Sequence, residues 1–271
     1  MSGRVLVNGR ETHEIDARDR GLHYGDGLFE TIAVVEGTAV RLSLHLDRLA
    51  RGCTRLGLPC PSREQLETEI ERLVGSESRA VLKIIVTRGI GARGLTVDPQ
   101  SVPTRILSIH PWPSYPPQWA ESGVAVRICS TVLGDQPALA GIKHLNRLEY
   151  VLARREWQDP QIAEGLLRDR SGALVCGTIS NLFVVRDGRV LTPAVDRCGV
   201  AGTVRAAVLE RAHALGIPAV QAVITDGDVA QADEVFLTNA LIGLWPVNRL
   251  GEQTWTAGPV WARLRAAVEA D

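Results

Sequence analysis

Short apolar runs bounded by turn dipeptides alternate with two amphipathic stretches in the first half of the chain. Asn8-Gly9 and Glu36-Gly37 are dipeptides typical of hairpin turns. The runs predict strands at residues 4–7, 28–35, 38–42, 80–87 and 104–109. Residues 43–58 and 62–74 have helical spacing, and Ser62 begins a capping-box pattern. This half therefore contains a predicted sheet and two helices.

The second half mixes strands and helices in a different order. We expect a helix after residue 143, another from Thr203 to about Ala214 and a last one from Pro259. Residues 181–193 predict a hairpin that turns at Asp187-Gly188. Further strands are predicted at residues 124–132, 164–169, 219–224 and 234–238. Since the elements do not alternate as regular βαβ units, the predicted fold class is α+β, or mixed α/β, in two domains.

A proline-rich segment separates the two halves. Residues 110–123 contain prolines at positions 111, 113, 116 and 117, which disfavour both a helix and a central strand. We therefore predict a smaller domain over residues 1–110, a linker over 111–123 and a larger domain over 124–271 that carries Lys143.

Bulk composition argues against several classes of partner. The 271 residues have a formal net charge of -1, which provides no basic surface for nucleic acid or for an anionic membrane. We find no signal sequence and no apolar run of membrane-spanning length, so a cytoplasmic location is expected. The five cysteines are scattered without CxxC spacing, which argues against a metal site or a disulfide framework.

The segment GIGARG, residues 89–94, matches the GxGxxG pattern of dinucleotide-binding loops. That interpretation requires a helix that begins inside the motif and an acidic residue about 20 positions later. Pro99 and Pro103 follow instead, and residues 105–115 contain no acid. We interpret the segment as a flexible glycine loop that presents Arg93, a kind of loop that often closes over substrates.

Lysine is almost absent from this arginine-rich chain. Of the 30 Lys and Arg residues only Lys83 and Lys143 are lysines, and Lys143 lies among Ile142, Leu145 and Leu148. Arginine stays charged at any biological pH, whereas a desolvated lysine can lose its proton and attack a carbonyl. A plain surface lysine is the competing interpretation, and scarcity alone leaves both open. Lys83 lies in an alternating strand pattern and is interpreted as an outward-facing residue.

Five separated motifs extend this argument, and they are DRGLHYGDGLFET (19–31), HLDRL (45–49), AGIKHLNRLE (140–149), TISNLF (178–183) and GVAGTVR (199–205). Together they resemble the fold-type IV family of pyridoxal-phosphate enzymes, which includes branched-chain and D-amino-acid aminotransferases. AGIKHLNRLE, with TRILS and TNAL, is most similar to the aminodeoxychorismate lyases of that family. The resemblance implies a homodimer of two-domain subunits, with pyridoxal 5'-phosphate bound in the cleft between the domains.

The resemblance also implies roles for residues of the cofactor site. It makes Lys143 the catalytic lysine that forms a Schiff base with the cofactor. It places Arg48 on the cofactor phosphate, where a guanidinium binds two oxygens at once. An ordinary helix-surface arginine is the alternative for Arg48. Gly202, Thr203 and Val204 stand where a helix begins, and backbone N–H groups there suit a phosphate or simply form a helix cap.

For the substrate, the resemblance implies that Phe29 and Arg93 line the pocket, as these positions do in related aminotransferases. Aminodeoxychorismate carries two carboxylates, so a second arginine is wanted, and Arg105 is the candidate. Asn239 in TNAL is the polar contact expected from the larger domain, beside the cofactor. Thr31 is the candidate proton donor to the leaving group.

Cys176 departs from the family pattern. In that pattern a glutamate five residues before the NLF asparagine pairs with the ring nitrogen of the cofactor, and counting back from Asn181 leads to Cys176. A thiol does not hold that nitrogen protonated as a carboxylate does. Transamination should suffer more from this change than an elimination that is driven by formation of an aromatic ring.

The resemblance therefore predicts a pyridoxal-phosphate-dependent carbon–oxygen lyase of folate biosynthesis, which converts 4-amino-4-deoxychorismate to 4-aminobenzoate and pyruvate. Two alternatives stay open, namely a fold-type IV aminotransferase of the branched-chain or D-amino-acid type, and a cofactor-binding protein with little activity. Release of pyruvate from aminodeoxychorismate separates the lyase from an aminotransferase, which forms keto acids from amino acids.

Overall fold

The structure is a computed structural model that describes residues 4–75 and 77–270, and it divides into two compact units. Unit 1 comprises the described residues up to Ser114 together with Ile142–Asn146. Unit 2 comprises Tyr115–Gly141 and the described residues from Arg147 onward. Lys143 therefore groups with unit 1 by its contacts, although it follows the proline-rich segment in the chain.

Unit 1 is built on a six-stranded sheet. Its elements in chain order are β1 (Val5–Val7), β2 (Arg10–Glu11), α1 (Arg20–Tyr24), β3 (Gly27–Val35), β4 (Thr38–Ala39), α2 (Leu42–Leu56), α3 (Arg63–Val74), β5 (Arg79–Thr87) and β6 (Thr104–Pro111). The strand order is β2-β1-β6-β5-β3-β4, and the paired strands are antiparallel.

Side chains along the central strands of unit 1 point alternately to the two faces of the sheet, one of which is covered by helices while the other is open. Leu28 and Leu82 are buried on the face against which α2 and α3 pack. Phe29, Thr31 and Lys83 belong to the opposite face, because successive side chains of a strand point to opposite sides. Thr31 lies directly opposite Lys83 in the register of β3 and β5. This open face carries Phe29, Thr31 and Lys83.

Within the described residues, unit 2 contains a nine-stranded sheet, four α-helices and one short 3-10 helix. Its elements are a short 3-10 helix (Pro117–Ala120), β7 (Val124–Val132), α4 (Leu148–Arg154), β8 (Ile162–Arg168), β9 (Leu174–Gly177), β10 (Asn181–Arg186), β11 (Arg189–Pro193), α5 (Thr203–Ala214), β12 (Ala219–Ala222), α6 (Asp226–Ala230), β13 (Glu234–Asn239), β14 (Gly243–Leu250), β15 (Gln253–Thr254) and α7 (Pro259–Glu269). The strand order is β12-β11-β10-β13-β14-β7-β8-β9, and β15 pairs with β14. Because β9 also pairs with β10, the strands from β10 round to β9 close into a ring.

Both faces of β10 are buried, which explains its continuous apolar run LFVV at residues 182–185. Leu182 and Val184 belong to one core cluster with Trp245. Phe183 and its neighbour Phe236 on β13 belong to a second cluster with residues of α5 and α7. Their two rings stack with a centroid distance of 4.8 Å. A strand with two covered faces needs apolar residues at successive positions rather than at alternate ones.

The α+β fold class is confirmed, and most predicted elements are present with small shifts of their ends. The short elements β2, α1, β9, α6 and β15 and the 3-10 helix were not predicted, nor was β14, whose Pro246 disfavours a strand assignment. No helix lies between β5 and β6, so GIGARG is a loop, as expected. Within residues 4–75 and 77–270, no helix has the length and apolar character needed to cross a membrane.

Candidate active site

Lys143 is held by backbone hydrogen bonds to the start of β3. The Phe29 N–H donates to the Lys143 carbonyl oxygen over 2.9 Å, and the Leu145 N–H donates to the Gly27 carbonyl oxygen over 3.0 Å. The segment therefore forms an isolated antiparallel bridge to β3, between His144 and Leu28, with Lys143 half-buried. This pairing keeps Lys143 in a fixed register with Phe29.

Both lysines of the chain lie over the same aromatic ring. The Nζ atom of Lys143 is 4.3 Å from the ring centroid of Phe29, and the Nζ atom of Lys83 is 5.6 Å from it. The face of an aromatic ring attracts cations, so Phe29 favours both amines at this place. Thr31, opposite Lys83, belongs to the same face of the sheet. The structure thus brings Lys143, Phe29 and Thr31 together, and it adds Lys83.

Arg48 belongs to a buried charged cluster on the covered side of the sheet. Its Nε and Nη2 groups donate to Oε1 and Oε2 of Glu30 over 2.8 and 2.5 Å. The Nδ1 atom of His45 lies 2.6 Å from the same Oε2 atom. The Arg48–Glu30 pair connects α2 to β3 and occupies the Nε–Nη2 edge of the guanidinium. A phosphate-binding role for Arg48 stays a prediction.

The protonation states of this cluster follow from its burial and its charges. Burial raises the pKa of Glu30, but Arg48 and then His45 outweigh this effect and hold the pKa below its usual value. Burial lowers the pKa of His45 below its ordinary 6.5, with further lowering from the charges of Arg48 and Lys143, and Glu30 only partly opposes this. At neutral pH, a neutral imidazole therefore donates its Nδ1 hydrogen to an ionised carboxylate.

The two arginines predicted for the substrate have different surroundings. Arg93 lies in the loop between β5 and β6, with an exposed side chain. Arg105 donates from Nη2 to Oε1 of Glu69 over 2.8 Å and from Nε to Oε2 over 3.3 Å. Arg105 also lies opposite Val86 in the register of β5 and β6, which places it on the helix-covered face, away from Phe29. Its role as a substrate ligand stays a prediction that this placement does not support.

The start of α5 in unit 2 consists of a half-buried glycine followed by two buried residues. Gly202 is its N-cap residue and makes no side-chain cap hydrogen bond, and Thr203 and Val204 are buried. A Cβ atom at Gly202 would lie 2.1 Å from Oδ1 of Asn181, so a larger residue does not fit. Asn181 is fixed by donation from Nδ2 to the Val200 carbonyl oxygen over 2.8 Å. A helix N-terminus favours an anion, because its backbone N–H groups and its dipole attract negative charge.

Cys176 is a buried, neutral thiol. Its side chain is 3% exposed, and burial, followed by the nearby Cys198 and Glu164, raises the pKa of the thiol to about 12. The Tyr150 hydroxyl is hydrogen-bonded to the sulfur. The Cζ atom of Arg147 lies 4.8 Å from the centroid of the Tyr150 ring. At neutral pH this position therefore offers no carboxylate-like negative charge.

Glu164 organises the turn between β9 and β10. Its Oε1 atom accepts hydrogen bonds from N–H and Oγ1 of Thr178 over 3.0 and 2.5 Å. Its Oε2 atom accepts from the Ile179 N–H over 3.0 Å and from Oγ of Ser180 over 2.8 Å. Asn239 donates from Nδ2 to the Ile179 carbonyl oxygen over 3.1 Å, and so holds the same turn. A contact between Asn239 and a cofactor stays a prediction.

Sequence reasoning did not single out Glu30, His45, Glu164 or Tyr150. A signal was present for His45, which precedes Arg48 by three residues in HLDRL and therefore shares its side of α2. Glu30 was recognisable as an acid at an inward-facing position of an apolar strand. Glu164 and Tyr150 had no local signal, because Glu164 binds residues 178–180 and Tyr150 contacts Cys176 only once the chain has folded.

Comparison with known proteins assigns the family. Residues 27–250 match the model of the amino-transferase class IV family. An aminodeoxychorismate lyase from Vibrio harveyi is 36% identical over 243 residues, which cover 89% of this chain and 89% of that protein. A D-alanine aminotransferase from Listeria monocytogenes is 29% identical over 274 residues, which cover 96% of this chain and 93% of that protein.

Among solved structures, 4-amino-4-deoxychorismate lyase from Pseudomonas aeruginosa is 46% identical in sequence and covers 98% of each chain, with a TM-score of 0.95. The chain therefore belongs to the amino-transferase class IV family. The fold expected from the five motifs is confirmed by this similarity.

Proposed function

We propose that this protein is a pyridoxal-phosphate-dependent lyase that converts 4-amino-4-deoxychorismate to 4-aminobenzoate and pyruvate. The observation that carries the proposal is the amine of Lys143, held half-buried and 4.3 Å from the centroid of Phe29. Similarity to two lyases over 89% and 98% of the chain supports the same reaction.

Two features of the structure fit pyridoxal 5'-phosphate. One is the amine of Lys143, to which the cofactor would be attached covalently. The other is the start of α5, where the N-cap residue Gly202 makes no side-chain cap hydrogen bond and the helix N-terminus suits a phosphate. The residues proposed to hold the cofactor besides Lys143 are Arg48, Cys176, Gly202, Thr203, Val204 and Asn239.

The proposed reaction assigns a task to each residue on the open face. When bound, the cofactor supplies an aldehyde that condenses with amines and a conjugated ring that takes up an electron pair. Lys143, once released, removes the proton from the substrate ring carbon that bears nitrogen. Loss of pyruvate from the neighbouring carbon makes the substrate ring aromatic. The Thr31 hydroxyl is the proposed proton donor to the leaving group.

Two cations are proposed to bind the two carboxylates of the substrate. Arg93 is exposed in its loop, and Lys83 shares the Phe29 ring with Lys143. Lys83 takes the place first given to Arg105, because Glu69 occupies the Arg105 guanidinium. A charged hydrogen bond to a carboxylate contributes about 1.5–3 kcal/mol, which is enough to select a dianionic substrate.

The neutral thiol of Cys176 favours the lyase over the aminotransferase alternative. Transamination depends on the cofactor ring alone to stabilise negative charge, and a protonated ring nitrogen does this best. A thiol whose pKa is raised to about 12 supplies no negative charge to keep that nitrogen protonated. Elimination tolerates this loss, because its product gains aromatic stabilisation.

A homodimer is also proposed. Leu148, Val151 and Leu152 lie on one side of α4 and are 77, 51 and 54% exposed. An apolar stripe of this kind on a surface helix is typical of a contact with another protein surface. A second copy of the same chain is the partner that the family resemblance implies.

Product analysis tests the proposed reaction. The substrate is generated from chorismate and glutamine by an amination enzyme, and 4-aminobenzoate and pyruvate are then quantified by mass spectrometry. We expect equal amounts of both products with the wild type and none above background with Lys143→Ala. Keto-acid formation from D-alanine or branched-chain amino acids, without 4-aminobenzoate, would instead identify an aminotransferase. Absence of both activities in cofactor-loaded protein would contradict the proposal.

A further inference from the structure

The guanidinium of Arg20 donates hydrogen bonds to backbone carbonyl groups of the loop that carries Arg93. Its Nη1 group donates to the Gly94 carbonyl oxygen over 2.9 Å and, more weakly, to that of Thr96 over 3.5 Å. Its Nη2 group lies 3.4 Å from the Leu95 carbonyl oxygen. The planar fork of an arginine suits several acceptors at once, whereas a lysine amine is a point charge. A single side chain thus binds consecutive peptide groups directly after Arg93.

Arg20 is itself held from several sides. Its side chain is almost fully buried, and Nε donates to Oδ2 of Asp26 over 3.0 Å. The Tyr24 ring stacks on the guanidinium, with 4.7 Å between Cζ and the ring centroid. A Cβ atom at Gly91 would lie 2.7 Å from Cδ of Arg20, so the loop backbone packs directly on the arginine stem. The guanidinium therefore has little freedom to move away from the loop.

Gly94 is fixed through both of its backbone polar groups. Its N–H donates to the Tyr24 hydroxyl over 3.1 Å, while its carbonyl oxygen accepts from Arg20. The peptide bond between Arg93 and Gly94 is thereby oriented, and with it the direction in which the exposed Arg93 side chain leaves the loop. We name the contacts of Arg20 and Tyr24 with residues 94–96 the carbonyl clamp.

The loop has little apolar burial of its own to define its conformation. Leu95 and Val102 are 78 and 77% exposed, and Val97 is 40% exposed. A segment that buries so little apolar surface depends on its hydrogen bonds for a defined structure. The carbonyl clamp therefore carries much of the ordering of this loop.

We propose that Arg20 is a positioning residue, which holds the loop at residues 94–96 so that Arg93 points to the substrate carboxylate. The part of the proposal that concerns substrate rests on the proposed function. The part that concerns the loop does not, and it is measured without substrate or cofactor chemistry.

Limited proteolysis tests the clamp in the full chain. Trypsin cleaves after exposed arginines, and the rate of cleavage between Arg93 and Gly94, followed by mass spectrometry, reports opening of the loop. Arg20→Lys keeps the positive charge but lacks the planar guanidinium that binds several carbonyl groups at once. Cleavage should therefore become about tenfold faster. Tyr24→Phe removes only the hydroxyl, and cleavage should become about three- to tenfold faster. Arg18→Lys is the matched control, because Arg18 pairs only locally with Asp16 and is exposed, and its rate should equal that of the wild type.

Steady-state kinetics with 4-amino-4-deoxychorismate test the positioning. Arg20→Lys should raise KM about tenfold and change kcat by less than about twofold, because a misdirected Arg93 weakens substrate and transition state alike. The visible absorbance of the bound cofactor should be unchanged. Arg18→Lys should show the wild-type KM.

Each result decides one part of the proposal. Unchanged cleavage at Arg93 in both Arg20→Lys and Tyr24→Phe overturns the carbonyl clamp, and Tyr24→Phe keeps this test decisive if Arg20→Lys unfolds. Faster cleavage with an unchanged KM overturns the positioning of Arg93. A wild type that produces no 4-aminobenzoate overturns the proposed function, while the cleavage rates still decide the clamp.

Discussion

Lys83 and Lys143 present their amines to one phenyl ring, at 5.6 and 4.3 Å from the centroid of Phe29. They are the only lysines among 271 residues, although they are 60 positions apart in sequence and reach the ring from different segments. The arrangement concentrates positive charge on the open face of the unit 1 sheet. A substrate with two carboxylates is the kind of molecule that such a face attracts.

The buried His45 makes stability depend on pH. Its pKa is lowered below 6.5 in the folded protein, so the unfolded chain takes up a proton at this position as the pH falls through 6.5, while the folded chain does not. Stability therefore declines from pH 7.5 to pH 5.5, because the unfolded state binds more protons. His45→Gln should make this decline shallower, as measured by urea denaturation at both values.

A matched histidine provides the control for this measurement. His13 is exposed, and His13→Gln should leave the difference in stability between the two pH values as in the wild type. An identical decline in His45→Gln and in the wild type would show that His45 is not the group responsible.

Arg93 and Arg105 should separate into a functional and a structural residue. Arg93→Gln should lower kcat/KM about ten- to a thousandfold, because the variant loses the charged hydrogen bond to the substrate. The free energy of unfolding should be unchanged, because the Arg93 side chain is exposed. Arg105→Gln should lower the free energy of unfolding by about 1.5–3 kcal/mol, because Glu69 loses its partner in a mostly buried pair. Its KM should stay within about twofold of the wild type. A large rise of KM in Arg105→Gln would restore the substrate role first predicted for it.

Cys176→Glu should change the balance between two reactions. A carboxylate at this position would hold the ring nitrogen of the cofactor protonated, which transamination needs more than elimination does. We expect side transamination of simple amino acids to rise more than 4-aminobenzoate formation, with both rates compared at equal cofactor occupancy. Cys129→Ser, in the same buried cluster, is the control for a general disturbance of packing. Equal gains in both reactions would remove the reason for favouring the lyase at this site.

The apolar stripe on α4 should control assembly. Val151→Glu places a charge in the stripe and should convert the proposed dimer to a monomer in analytical ultracentrifugation. Val223→Glu, at a similarly exposed valine that is 72% exposed and lies outside α4, should leave the dimer intact. A wild type that sediments as a monomer would contradict the proposed homodimer.

The elements that were predictable have local causes. The strand before Glu36-Gly37 and the hairpin at Asp187-Gly188 are defined by turn dipeptides, and both turns have the positive φ angles that such dipeptides favour. The helix after Ser62 begins where its capping residue predicted, with Oγ of Ser62 accepting from the Gln65 N–H. Lys143 was recognisable because its residue type is scarce and its motif resembles a known family.

The elements that were not predictable depend on distant partners. Glu69 and Arg105 meet only because α3 packs beneath β6, and no spacing in the sequence signals this pair. Arg20 reaches carbonyl groups more than 70 positions away. Every residue has a backbone carbonyl group, so the sequence does not show which of them accepts a hydrogen bond. A contact of this kind is therefore found only in the folded chain. The proximity of Lys83 to Phe29 likewise depends on the pairing of β3 with β5.

The central claim is that Lys143, and not Lys83, is the amine that binds the cofactor. Borohydride reduction of the pyridoxal-phosphate-loaded wild type, followed by peptide mapping, tests it most directly. We predict a reduced adduct on the peptide that contains Lys143, its loss in Lys143→Arg and its retention in Lys83→Arg, because a guanidinium does not deprotonate to attack a carbonyl. An adduct on the peptide that contains Lys83, or an adduct that persists in Lys143→Arg, would contradict the account.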